Sequence, residues 1–516
     1  MKDWLMKKIT LLTFVFAYLK LSAQLPEDAL RASWNAPSGT ARQQAIGGAM
    51  GSLGGEISSI FVNPAGLGFF RTNDLAISPG FRFLHDNSSY RGTNASGNTA
   101  SNFNLGATGF VLSGPTKGNN SGAFSIAVNR TASFNSDVLY KGQNNYSSSA
   151  EQYAIEFANS GLSIDQAIGT TQLSYGTRMA LYTYLIDTAT INGTQQVIAQ
   201  PLKGGQGLLN QQNQFHSRGG ITEIALGYAS NTNDKLYLGI ALGIPIFNYQ
   251  RTLTYTETDA TGNPNNDFAS FVYHETYTTK GFGLNLKAGI IYKPAETWRI
   301  GFAIHSPTIL GLTDEIHSSM VTNTEAYAGT ISISSDSLDY YTQSSANKID
   351  YDMTLPWKFI ISGSYLFGGG VEDVSKQQGF ITGDIEYITY GSPRFHSGDD
   401  NASADYYAAV NDAVKSSYKG NFNFRAGGEM KFNTLMGRLG FAYSTNPYRQ
   451  SELKANRMSF SGGIGYRNKG MFLDLTYIET ISKDVNFPYR LADKANTFAN
   501  LKDMTGTILL TVGLKF

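Results

Sequence analysis

The chain contains no cysteine. That absence removes disulfides, thiol catalysis, thiolate metal sites and a lipid-modified N-terminal cysteine. It carries no net charge, because 40 Lys and Arg balance 40 Asp and Glu, and no basic stripe stands out. Nucleic acid is therefore excluded as a partner. Only 16% of residues are charged, and histidine is limited to six. No apolar run reaches the roughly 18 residues that a spanning helix requires. A membrane protein with this composition has only the closed barrel open to it, since lipid offers no partner for unpaired backbone groups. What is abundant is glycine and aromatic residues: 55 Gly, 30 Tyr and 31 Phe in 516 residues. That content fits one large all-β structure better than several soluble domains.

The final stretch, Met504 to Phe516, shows the alternation of a strand whose two faces meet different solvents. Ile508, Leu510, Val512, Leu514 and Phe516 share one face, whereas Thr505, Thr507, Thr511 and Lys515 share the other. Elsewhere, Leu236, Leu238, Ile240, Leu242 and Ile244 oppose Tyr237, Gly239, Ala241 and Gly243. Trp298, Ile300, Phe302 and Ile304 oppose Arg299, Gly301, Ala303 and His305. Met471, Leu473, Leu475 and Tyr477 oppose Phe472, Asp474 and Thr476, and Ile224, Leu226 and Tyr228 oppose Glu223, Ala225 and Gly227. Charge stays on one face, as lipid outside and a polar lumen inside demand.

Connections alternate in length. Short turns occur at Asn231-Thr232-Asn233-Asp234, Lys293-Pro294-Ala295-Glu296, Asn433-Thr434 and Asn468-Lys469. Long polar stretches separate the hairpins: 85–100, 135–219, 251–273, 310–349, 392–418 and 483–503. Short turns on one side and long loops on the other mark an outer-membrane barrel, here of about fourteen antiparallel strands. A soluble sandwich or adhesin has no reason to segregate connection lengths. In the longest loop, Ser149 to Asn159 places Tyr153 and Phe157 four apart ahead of Gly161, and Arg178 to Asp187 groups Leu181, Tyr184 and Leu185; both read as helices. Their apolar faces form either a greasy capture platform or plain packing on the barrel rim.

Before the first strand lie two segments of other character. Residues 1–24 read as a secretory signal, with Lys7-Lys8, an apolar run from Ile9 to Leu19, and small residues at Ser22-Ala23. Residues 25–72 are rich in glycine and alanine, without a strand pattern. The run Gly47 to Gly55 is not a phosphate loop, since no Gly-Lys-Ser/Thr follows. A barrel of this size encloses a lumen that needs filling, and this segment is the natural plug, leaving 73–516 as the barrel. An open diffusion porin would lack it.

Several of these segments resemble the FadL/TodX outer-membrane transporters of long-chain fatty acids and other hydrophobic compounds. Ala41 to Ala49 followed by Asn63-Pro64-Ala65-Gly66-Leu67 resembles that family's N-terminal pattern. Phe124 to Arg130 resembles its third strand, Gly283 to Pro294 with Ile300 to Pro307 its central hairpin, Leu355-Pro356-Trp357 its Leu-Pro strand start, and Arg425 to Gly428 with Phe441 to Tyr443 its penultimate region. The resemblance implies a fourteen-stranded barrel in the bacterial outer membrane, a monomer, with the N-terminal hatch inside. It implies passive uptake of long-chain fatty acids or similar molecules. Ligand is captured among extracellular loops, displaces the hatch, and leaves sideways into the membrane lipid at a kink of the third strand.

On this reading the ligand-binding candidates are Tyr153, Phe157, Leu181, Tyr184, Leu185 and Arg130, the last able to pair with a carboxylate or with a lumen acid. Asn63 and Pro64 are the hatch candidates, by their turn-forming chemistry. No cofactor and no metal site is expected, and no catalytic residue. A barrel enzyme such as a lipase needs a Ser/His or Asp/His constellation, but the histidines at 85, 216, 274, 305, 317 and 396 are scattered, and no His-Glu-x-x-His motif occurs. His274-Glu275 reads as a loop-edge pair. A haem receptor using a loop His or Tyr as axial ligand is the other alternative, with no spacing in its favour.

Overall fold

The computed structural model describes residues 25–114, 120–205, 207–342, 347–368, 377–398 and 404–516. The signal segment 1–24 lies outside these. Fourteen antiparallel strands form a closed barrel. The ring closes where Asp74–Ile77 and Pro79–Tyr90 pair with Ala499–Lys515, from Asp74 opposite Lys515 up to Ser89 opposite Asn500. The alternation read in the sequence becomes an outside and an inside. Phe516 is 71% exposed, and Leu238, Ile240, Trp298, Ile300, Leu473 and Leu475 also face out, while Leu509 and Thr511 are fully buried. A broad apolar exterior on a closed ladder is the surface of a barrel that spans a membrane.

The short turns follow from residues that tolerate left-handed backbone. Asn233 and Asp234 have φ of 57° and 54°, and Lys469-Gly470 has φ of 47° and 84°. Such geometry matches the twist of a tight hairpin. At the other end the strands run far beyond the membrane. The fourth, fifth and sixth strands, Leu209–Thr232, Leu236–Asp259 and Ser270–Ala295, have 24, 24 and 26 residues, against about 9–11 needed to span. The stretches 251–273 and 310–349, read as polar loops, are therefore largely paired ribbon, including Ile309–Asn323 and Lys348–Thr354. Above the lipid both faces meet water or cap, so the apolar alternation ends while the hydrogen-bond ladder continues.

An extracellular cap fills the space between these ribbons. Its helices are Ala150–Ser160, Ile164–Gly169 and Tyr175–Tyr182. Gly161 ends the first with φ of 66°, the left-handed stop expected of glycine. The last is shorter than read from sequence: Thr183 donates its hydroxyl to the Met179 carbonyl, Tyr184 turns to φ of 56°, and the β-rich run Ile186–Ile191 pairs with Thr194–Ala199.

Residues 25–72 thread the lumen lengthwise. The helix Pro26–Ser33 lies at the extracellular mouth; Ala41–Ala45, Ser59–Val62 and the 3-10 turn Pro64–Phe69 fill the lower barrel. The wall makes room with small residues: Ile57, Ile60, Phe61 and Leu67 pack against Ala123, Ala127, Ala225, Ala229 and Ala241. Gly440 belongs to this fit, since a Cβ there would sit 2.0 Å from the Gly47 nitrogen. Polar bolts complete the seat. The Met50 and Gly51 amides donate to Asp384 at 3.0 and 3.1 Å, and the Ala41 amide to Thr511 at 2.8 Å. Arg42 meets Glu429 at 3.1 Å; Arg438, fully buried, bridges Glu429 at 2.7 Å and Asp474 at 2.6 Å. Removing one partner of a buried pair strands the other charge, at a cost of about 3–5 kcal/mol. Arg438→Met should therefore lower the barrel's denaturant midpoint clearly in unfolding titrations; an unchanged midpoint would mean the network carries no stability.

Candidate ligand path through the barrel

The first three strands are each interrupted, at Ser78, at Gly106-Ala107 and at Phe134-Asn135. The second consists of Ala100–Leu105 and Thr108–Ser113, and the third of Ser121–Ser133 and Ser136–Asn144. Pairing with the first strand slips by one residue across Gly106-Ala107, from Ala76 opposite Gly109 to Pro79 opposite Leu105. The second and third strands pair only from Ser113 opposite Ala123 to Thr108 opposite Val128. Beyond Val128 the third strand is laddered to the fourth alone, and it bulges there: Ile221 faces Ala132 but Thr222 faces Arg130, leaving Thr131 as the extra residue. A bulge bends its strand and raises local twist. The third strand is thus kinked, and the wall between Ala100–Leu105 and residues 129–133 has no backbone ladder.

Inside this break lie two cavities, of about 140 and 160 Å³. Asn35, Ala36, Pro37 and Ser38 line both, so this strap between the mouth helix and the seated plug is their partition. The first cavity holds a charged cluster. Lys287 donates to Glu223 and to Asn285 at 2.7 Å, Arg425 donates to Glu386 at 2.6 Å, and His305 contacts the Val62 carbonyl at 2.8 Å. The second is lined by Trp34, Arg82, Arg130 and Arg457, with Thr131 to Ser133 of the kink. Asn129 ties the strap to the kinked strand by donating to Ser38 Oγ at 3.0 Å.

Above the strap the mouth is closed by apolar packing. Leu30 and Trp34 join Phe134, Phe247, Tyr277 and Phe395 in one buried cluster. The cap has its own core, and Tyr153, Phe157, Leu181 and Leu185 all lie within it, whereas Tyr184 is 43% exposed and stacks edge-on with Tyr327. Burial in this cap, beyond the membrane, pushes the Glu257 carboxyl up, although Ser148, Ser149, Tyr255 and Gln211 all donate to it. Tyr327 is pushed up to about 12 by its hydrogen bond to Asp187. Arg130 donates to the Gly219 carbonyl at the kink. Asn63, fully buried, donates to the Gly51 carbonyl at 2.6 Å and the Ile290 carbonyl at 3.2 Å, and accepts from the Ala65 amide at 3.1 Å; Pro64 opens the 3-10 turn beside it.

Sequence reading named Arg130, which lines the second cavity, but not Arg82, Arg457, Lys287 or the strap. Their signal was present in the pattern: Arg82 sits between outward Phe81 and Phe83, which are 56% and 45% exposed, so it had to point inward. The histidines do not converge. His305 faces the Val62 carbonyl of the plug, His317 lies between Asp336 and Glu315 on the outside, and His274 contacts Thr254. Among the described residues no group of three His, Asp or Glu is placed to hold a metal.

No family model and no curated protein matches this sequence. Solved structures do. A Pseudomonas aeruginosa FadL homologue aligns at 11% identity with a TM-score of 0.56, over 94% of this chain and 100% of its own. The Pseudomonas putida toluene transporter TodX aligns at 11% identity with a TM-score of 0.51, over 93% of this chain and 99% of its own. The chain has the fold of these FadL- and TodX-type outer-membrane barrels.

Proposed function

We propose that this chain is a passive, non-enzymatic outer-membrane channel for hydrophobic small molecules, long-chain fatty acids among them. Ligand is captured at the extracellular cap, passes the strap, and leaves sideways into the bilayer. The observation that carries this reading is the missing ladder between the second and third strands beyond Val128, beside a lumen whose axial route is filled by a bolted plug. The physics favours a sideways exit. Each CH₂ kept from water is worth about 0.8 kcal/mol, which a wet axial pore would forfeit. No cofactor or energy source is needed, and a single chain completes the path. Tyr153, Phe157, Leu181 and Leu185 build the cap that admits ligand, Tyr184 offers its ring at the surface, and Arg130 stands at the exit. Asn63 and Pro64 hold the plug.

Two outcomes test this. Ser133→Trp fills the cavity at the kink and should cut uptake of radiolabelled oleate, in a strain lacking its own transporter, by at least about tenfold, with unchanged heat-modified gel mobility. Undiminished uptake would place the exit elsewhere. Asp384→Ala combined with Asn63→Ala removes plug bolts and should convert a closed barrel into an ion-conducting one in planar bilayers, each lost buried bond costing about 1–3 kcal/mol. A silent bilayer would show that these bolts do not keep the lumen shut.

A further inference from the structure

Three guanidinium groups meet in the cavity beside the kink: Arg82 from the first strand, Arg130 from the third and Arg457 from the twelfth, Asn456–Asn468. They lie near enough for Arg82 to feel the charge of both others. None has a carboxylate within ion-pair distance among the described residues. Arg82 Nε and Arg130 Nε are buried without a hydrogen-bond partner. Arg130 otherwise donates to the Gly219 carbonyl, and Arg457 donates to Ser482 Oγ and to the Trp34 carbonyl, both at 3.1 Å, stacking 4.6 Å from the Trp34 ring. The acids lining this cavity are Asp86 and Asp503, opposite each other in the ladder, and Asp484 stands near enough to Arg457 to attract it. Hydroxyls complete the lining: Ser133, Ser136, Ser459, Thr480 and Thr505. Burying unpaired guanidinium is costly, and these arginines lie beside the stretch where the second and third strands lose their ladder.

We propose that this cavity is a head-group site for an anionic amphiphile, the oxyanion held by Arg82, Arg130 and Arg457 while the tail lies through the gap between Ala100–Leu105 and residues 129–133. The preferred head is a phosphate monoester or a similar tetrahedral oxyanion, because several converging guanidinium forks satisfy more than two acceptor oxygens. A carboxylate fits less well, and a neutral hydrocarbon leaves the arginines unpaired. Trp34, at the end of the mouth helix, closes the site: it is both a wall of the cavity and the ring beneath Arg457. This inference rests on reading the gap as the exit, and it narrows the substrate class that uses it.

The test uses the full mature chain in dodecyl maltoside, a neutral-headed detergent. Dodecyl phosphate, dodecanoate, dodecanol and inorganic phosphate are titrated, with calorimetry and tryptophan fluorescence as readouts. Dodecyl phosphate should bind at least about tenfold more tightly than dodecanol, with dodecanoate between them. Arg82→Gln with Arg130→Gln should erase that preference while leaving heat-modified gel mobility unchanged; Arg82→Lys should restore part of it. Equal binding of dodecyl phosphate and dodecanol, or a preference that survives the double variant, overturns the proposal. Inorganic phosphate binding as tightly as dodecyl phosphate also overturns it, since the site would then serve a free anion. Uptake of neutral hydrocarbon by the wild-type chain separates this question from that of the channel itself.

Discussion

In hydrocarbon a backbone amide or carbonyl without a partner costs several kcal/mol. Everything in this fold depends on that constraint. It forces the ring to close between the first and last strands, and it makes any interruption of the ladder a feature that needs compensation. At the break, side chains and local turns take over what the ladder leaves. The Gly106 amide donates to the Ser78 carbonyl at 2.8 Å, the Ser78 amide to Thr108 Oγ1 at 3.0 Å, and Ser78 Oγ to the Ala107 carbonyl at 2.7 Å. Arg130 caps the Gly219 carbonyl, and Thr131 Oγ1 donates to the Ile221 carbonyl at 3.3 Å.

The N-terminal segment divides into two parts with different attachments. From Thr40 to Phe69 it is seated by small wall residues and by hydrogen bonds to strands from the sixth to the last, from Ile290 to Thr511. From Asn35 to Ser38 it borders cavities on both sides. Low packing density on two sides is where local motion costs least. In this account the strap yields to ligand and the seated plug does not, so a chain molecule can pass without opening a pore for ions.

The strands were legible because lipid and lumen impose opposite demands on alternate residues: Leu238 and Ile240 outside, Tyr237 and Ala241 inside. The turn at Asn233-Asp234 and the helix stop at Gly161 were legible because few residues accept positive φ. Legibility failed where those demands lapse. Residues 251–259 continue a strand, but no lipid marks one face, so they read as loop. The bulge at Thr131 is a backbone event set by pairing with a strand some ninety residues away, and no local pattern encodes it. The meeting of Arg82, Arg130 and Arg457 likewise depends on ring closure, which brings the first, third and twelfth strands around one cavity.

The central claim is that ligand leaves through the wall while the plug stays seated. Ser52 Oγ on the plug touches Ser364 Oγ on the wall at 2.5 Å, within reach of a disulfide if both are cysteine, and the chain offers no competing thiol. Oleate uptake by Ser52→Cys with Ser364→Cys, compared oxidised and reduced, is the most direct measurement. The account predicts equal uptake in both states. Uptake lost on oxidation and recovered on reduction would mean that the plug must leave its seat, and that the route runs along the barrel axis.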